Sequence, residues 1–306
     1  MFKISYFLTT CVAFALPVAA HAQDTSLVIQ DQLQPNGEIA LETMSAPPPE
    51  TRYSLNSFGR DTGTVGWEVA AVVAAVTATR FKDITEGGGD FRFKSEGFFG
   101  RDTSSLGMDK LHHAWKTYVL ADVLQGLIEK RTGNNRSAAY SAAAISLGVM
   151  TYAEILDGFT KRTGFSNEDF AIHFAGAGFA LVRNAVPGLR QKLDFRTQIN
   201  PAALGRDLRL TDQLAERRFL FAGQLSGWQR FEDTPWRFVE LHAGYFGRGF
   251  SDAERARGAP LKRRLYVGVG FNVQQLFARK PRSFVGRVAR GAFDYIQLPY
   301  TSITTD

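Results

Sequence analysis

The 306-residue chain is 44% hydrophobic and 22% charged, with 36 Lys and Arg against 30 Asp and Glu and a single cysteine. That apolar content excludes a wholly disordered chain, and one thiol excludes an internal disulfide framework. The length suffices for one large or two modest domains, each with a core of its own.

The first residues combine Lys3, an apolar run from Ile4 to Ala19 and the small-residue ending Ala20-His21-Ala22. Together they read as a secretory signal over 1–22, cleaved before Gln23. Cys11 lies inside the apolar run, but Thr10 is bulkier than the residue expected before a lipidated cysteine. Export therefore leaves a mature chain without cysteine, stabilised by its core alone. Residues 23–60 are polar, contain Pro35-Asn36-Gly37 and Pro47-Pro48-Pro49, and read as a disordered leader.

A helical core is predicted over 61–190. Trp67 to Thr79 is apolar nearly all round and reads as a helix over 66–80, too short between Glu68 and Arg80 to span a bilayer. A Gly-rich connection, Glu86 to Asp90, leads to Phe91-Arg92-Phe93-Lys94, whose alternation suggests a short strand. A second helix runs from Asp109 to about Lys130 and stops before Thr132-Gly133-Asn134-Asn135. The third, 137–159, is mostly Ala with several hydroxyls, and Glu154 and Asp157 near its end favour burial among other helices over a membrane span. The fourth starts at a Ser166 cap and ends before Pro187-Gly188, and its Gly176, Ala177, Gly178 and Ala180 let a neighbour approach closely.

After a linker at 190–212 the period changes to that of strands, at 218–229, 236–247 and 263–277, with a polar loop at 252–258. The expected fold class is α+β, a bundle of about four helices followed by a small antiparallel sheet over 191–306. This C-terminal part is the basic one: residues 190–306 hold 20 Lys and Arg against 11 Asp and Glu, whereas 23–189 hold 15 against 19. In an exported protein such asymmetry points to anionic lipid or a membrane surface rather than nucleic acid, although a solvated Arg-rich surface gives the same balance.

Chemistry-bearing residues gather on the helices. Asp109 and His113 are spaced i, i+4, Glu154 and Asp157 i, i+3, and Asp169 and His173 i, i+4, so each pair shares a helix face. Each has an ordinary explanation as well: Asp109 and Asp169 as helix caps, Asp157 paired with Lys161, the histidines hydrogen-bonded in a core. In combination they suit a divalent transition metal such as Zn, Mn or Fe on His113, Glu154, Asp157 and His173. Without a metal, Asp109, His113, Glu154, Asp157 and Asp169 are candidate acid/base groups. A polar network that only fixes helix register is equally open. Ser166 lacks a Gly-x-Ser-x-Gly context and reads as a cap, and no phosphate-binding Gly loop precedes a helix.

These motifs also carry a resemblance. Glu96-Gly97-Phe98-Phe99-Gly100-Arg101-Asp102-Thr103, Asp109-Lys110-x-x-His113, Glu154-x-x-Asp157-Gly158-Phe159 and Gly164-Phe165-Ser166-x-x-Asp169 resemble the YfiM-like family of predicted periplasmic lipoproteins, over roughly 60–300. More distantly, the order Asp-Lys-x-x-His, Glu, Asp is similar to VanZ-like membrane proteins. His173 stands where the related pattern has Asn, and His112 where it has Gly. The resemblance implies an envelope compartment and a helical fold, and no reaction. The expected protein is thus an exported, periplasmic or envelope protein for interaction or maintenance, or else a metal- or acid/base-dependent hydrolase of an envelope lipid or glycan.

Overall fold

The computed structural model describes residues 53–100, 103–161, 163–203, 210–277 and 291–305. The expected signal, the leader up to residue 52, Arg101-Asp102 and the middle of the 190–212 linker lie outside the described residues.

Among the described residues five helices of ten or more residues form the first layer, one more than expected. Helix α1 (Leu55–Thr64) and α2 (Gly66–Gly87) meet at the buried Val65 with a bend of 73°. α1 occupies the end of what reads as leader. It has only two large apolar residues, Leu55 and Phe58, and much of its grip on the bundle is polar: buried Asp61 accepts from the Ser137 and Ser141 hydroxyls, and Ser54 caps its first turn.

α3 (Met108–Thr132), α4 (Asn135–Gly158) and α5 (Asn167–Ala185) pack on one another. The expected punctuation is present: Gly133 in the left-handed region (φ 70°) ends α3, Asn134 caps α4, and Ser166 accepts from the Asp169 amide at the start of α5. Leu124, Leu127, Ile128, Ala138, Ala142 and Ile145 close the α3–α4 interface. α4 is long and apolar enough to cross a membrane, yet half of that window is buried inside the protein.

α3 and α5 run parallel, since Lys110 meets Asp169, His113 meets His173 and Asp122 meets Arg183. Their close approach depends on Gly176, where a Cβ would lie 2.4 Å from the Ala114 carbonyl oxygen of α3; Gly178 faces open space.

The second layer is a six-stranded sheet of order β5-β1-β2-β3-β4-β6. Its strands are β1 (Leu193–Ile199), β2 (Arg217–Gln224), β3 (Val239–Arg248), β4 (Lys262–Phe271), β5 (Ile296–Gln297) and β6 (Ser302–Thr304). All neighbours are antiparallel except β1 and β5, so the sheet is mixed, not purely antiparallel as expected. Phe195 and Phe219 pack with Tyr118, Val119 and Ala121 of α3, joining the layers.

A buried chain of charges completes the join. Arg183 of α5 donates to Asp122 of α3 (2.9 Å) and Asp194 of β1 (2.6 Å), Arg196 donates to Asp194 and Glu240, and Glu240 meets His242 at 3.0 Å. Arg183 and Arg196 are held above the usual guanidinium range, because carboxylate charges outweigh the burial that would lower them.

Gly176→Ala is expected to lower stability by about 1–3 kcal/mol, as an overpacked contact against backbone does, while Gly178→Ala leaves it unchanged or slightly raised. Denaturant unfolding of the two variants checks this, and equal effects would contradict the close approach of α3 and α5.

Candidate metal and acid/base centre

The three sequence-spaced pairs do not stay together as pairs. α3 and α5 lie in register, so one helical turn carries Asp109 and Asp169 and the next carries His113 and His173. Two adjacent clusters result.

The first surrounds Lys110, whose side chain is fully buried. Its ammonium lies 2.8 Å from Asp169, 2.9 Å from Asp109 and 3.2 Å from Glu96. Ser105 also donates to Asp109. Burial alone would lower the Lys110 pKa, but the neighbouring Asp109 and Asp169 charges outweigh it and hold the group above its usual range. With three carboxylates around one ammonium, negative charge is in excess. Burial pushes Asp169 up to about 6 even though Lys110 pulls it back. The carboxylate oxygens of Glu96, Asp109 and Asp169 lie within 4.8 Å of one another, but the position between them belongs to the lysine.

The second cluster is His113, Glu154 and His173, whose ligand atoms also lie within 4.8 Å of one another. Here no cation intervenes. The Thr117 hydroxyl donates to the His113 carbonyl (2.8 Å) and thus accepts from His173 Nδ1 (2.8 Å). That choice of tautomer leaves a lone pair on His173 Nε2, which points at His113 Nδ1, 3.3 Å away, and at Glu154 Oε2, 3.9 Å away. The other Glu154 oxygen accepts from the Ser166 amide at 2.8 Å. Glu154 and His173 are buried and His113 is half-buried.

The residues fit a metal. Two nitrogen ligands at about 2.05 Å on a tetrahedral ion stand about 3.3 Å apart, which is the His113–His173 separation. The Thr117 bond to the far side of His173 is the outer-shell contact that ligating histidines ordinarily make.

Electrostatics around the cluster favour neutral imidazoles and a protonatable acid. Burial, then the charge of Lys116, lowers His113 well below the usual range and His173 to about 4. Burial raises Glu154 to about 7, aided by Asp157 and Glu96 and opposed by the Ser166 amide and Lys110. Lys116, one turn beyond His113, is lowered to about 8 by burial and by Arg80.

Asp157, expected from its spacing to join the site, is placed elsewhere. Both of its oxygens accept from Arg80 of α2, at 3.0 and 3.1 Å, and its carbonyl holds the turn through Thr160 and Gly164. His112 points away from His113, stacking on Trp115 and meeting Arg217 of β2 at 3.4 Å. A surface cleft of about 270 Å³ lined by Lys82, Asp83, Glu86, Gly87, Thr160 and Lys161 includes none of the three cluster residues.

Lys110, Glu96, Thr117 and Lys116 are the members that spacing rules pass over. Lys110 follows Asp109 directly and so looks like a solvated neighbour, and Glu96 sits in a loop. Lys116 carries the one usable signal, its i, i+3 placement from His113.

Residues 95–185 match the family described as predicted periplasmic lipoprotein (DUF2279). The matched span contains Glu96, α3, α4 and α5, hence both clusters, and stops before the sheet. It supports a periplasmic or envelope location and the broader part of the expected resemblance. No curated protein and no solved structure matches the chain.

In metal-free protein the folded Glu154 keeps its proton to about pH 7, the unfolded one only to about 4.5. A raised carboxyl pKa stabilises fully below the unfolded value, and that contribution is lost as pH rises through the folded value. The unfolding free energy of wild type minus Glu154→Gln is therefore expected to fall between pH 4.5 and 7, by at most about 3 kcal/mol. Denaturant titrations across that range check it, and parallel curves for the two proteins would contradict it.

Proposed function

We propose that the chain is exported by a cleaved signal at 1–22 and acts in the cell envelope, where its helical unit holds a divalent transition metal on His113, Glu154 and His173 and hydrolyses an envelope lipid or glycan. The observation that carries this reading is the convergence of His113 Nδ1 and His173 Nε2 at a tetrahedral-edge distance, with Thr117 fixing the His173 tautomer. Two imidazoles and one carboxylate are a ligand set of zinc hydrolases that leaves a coordination position open. A metal there would bring the pKa of bound water toward neutrality. Lys116, with its lowered pKa, is the candidate proton donor to a leaving oxygen or contact for an anionic group. The finer likeness to YfiM-like and VanZ-like proteins supports the compartment and not the reaction.

A second reading is an interaction or maintenance protein whose cluster fixes the register of α3, α4 and α5. It is favoured by the burial of Glu154 and His173 and by the absence of those residues from the open cleft.

Elemental analysis of protein purified without chelator separates the two. Near one equivalent of transition metal is expected, falling to about a tenth or less in His113→Ala and His173→Ala, together with chelator-sensitive turnover of envelope lipid or glycan extracts. A wild type that stays metal-free after reconstitution would leave the register reading.

A further inference from the structure

The sheet turns a broad apolar face outward. One face is buried and carries both the charged chain, with Asp194, Arg196, Glu240 and His242 all under 4% exposed, and the apolar Leu220, Ala222, Phe246 and Tyr266. The opposite face is covered by α3 and α5 over β1 and part of β2, but lies open over β3 and β4. There the register brings Leu241 beside Val269, Ala243 beside Val267, Phe221 beside Ala243 and Ile303 beside Val269. Leu241, Val267, Val269 and Phe271 are exposed, and Leu265 and Ile303 are each 84% exposed. An antiparallel sheet with one face in water alternates the other way, apolar residues inward and polar residues outward. An outward face of aliphatic side chains is instead the pattern of sheets that face lipid.

The apolar surface continues onto α5, where Phe179 meets Phe221 at 5.4 Å and the outer stripe holds the exposed Phe170, Phe174 and Val182. At the start of β4 it ends in charge: Arg263, which alternates onto the same face as Leu265 and Val267, is exposed, and so is Arg257 on the adjoining turn. Cations at the rim of an apolar face match the anionic headgroups of a bilayer, which are attracted to Lys and Arg close to the surface.

We infer that the β3–β4–β6 face is a docking surface for an anionic lipid bilayer, with Leu241, Leu265, Val267, Val269 and Ile303 against the acyl boundary and Arg257 and Arg263 among the headgroups. The sheet lies on the membrane and does not cross it. β6 pairs only with Gly268–Gly270, so the outer edge of β4 from Lys262 to Leu265 has no strand partner among the described residues. Such backbone groups have no acceptable place in hydrocarbon. This inference is independent of the metal centre.

The test is co-sedimentation of the exported protein, in a Cys11→Ser background that excludes an acyl anchor, with phosphatidylcholine vesicles containing phosphatidylglycerol. Binding is expected to fall on the order of tenfold in Arg257→Gln/Arg263→Gln, to fall at least as far in Val267→Asp/Val269→Asp, and to weaken with added salt. Circular dichroism confirms that the variants fold. Binding unchanged in both variants would overturn the inference. So would a wild type that ignores vesicles and instead forms a dimer that Val267→Asp/Val269→Asp splits, since the face would then belong to a second copy of the chain.

Discussion

The burial of Lys110 organises the helical unit. A fully buried ammonium is costly unless several acceptors meet it, and here they come from three places: Asp109 beside it, Asp169 on α5 and Glu96 on the incoming loop. Meeting that demand fixes the register of α5 against α3 and draws the 95–100 segment over the helix starts. It also gives one of the two neighbouring clusters a cation of its own. The carboxylate cluster already has its cation. The cluster of His113 and His173, one turn further along α3 and α5, with Glu154 added from α4, has no cation between its ligand atoms among the described residues.

Several features far apart in the chain serve that register. Gly176 permits the backbone approach that puts His173 against His113 and Thr117. Farther along, Arg183 bridges Asp122 and Asp194, so the far ends of α3 and α5 are tied to β1 by buried charge. Arg80 on α2 clamps Asp157 and keeps it out of the cluster. The helices are thus held at both ends by ion pairs and between them by small-residue packing, and the cluster sits between those ties. Pre-orientation of this kind is what a metal site or an acid/base pair needs.

Much of this was legible in the sequence, and the exceptions share a cause. The helices at 109–130, 137–159 and 166–186 showed because caps, glycine stops and apolar runs agree. The clustering of His113, Glu154 and His173 was foreseeable in kind from their spacing. Residues were misplaced wherever polar groups point inward. β1 reads as linker because Asp194 and Arg196 face a buried network. α1 reads as leader because Asp61, not an apolar stripe, anchors it. The i, i+4 rule correctly put Asp109 with His113 and Asp169 with His173 on common faces, yet interaction runs across the helices, which spacing within one helix does not reveal.

X-ray absorption at the zinc edge of the zinc-loaded protein, beside Asp109→Asn and His113→Ala variants, tests the division between the clusters most directly. Two imidazoles and a carboxylate in the first shell, unchanged in Asp109→Asn and lost in His113→Ala, are the predicted result. A shell of oxygens alone, disturbed by Asp109→Asn and indifferent to His113→Ala, would place the metal in the lysine's cluster and contradict the account.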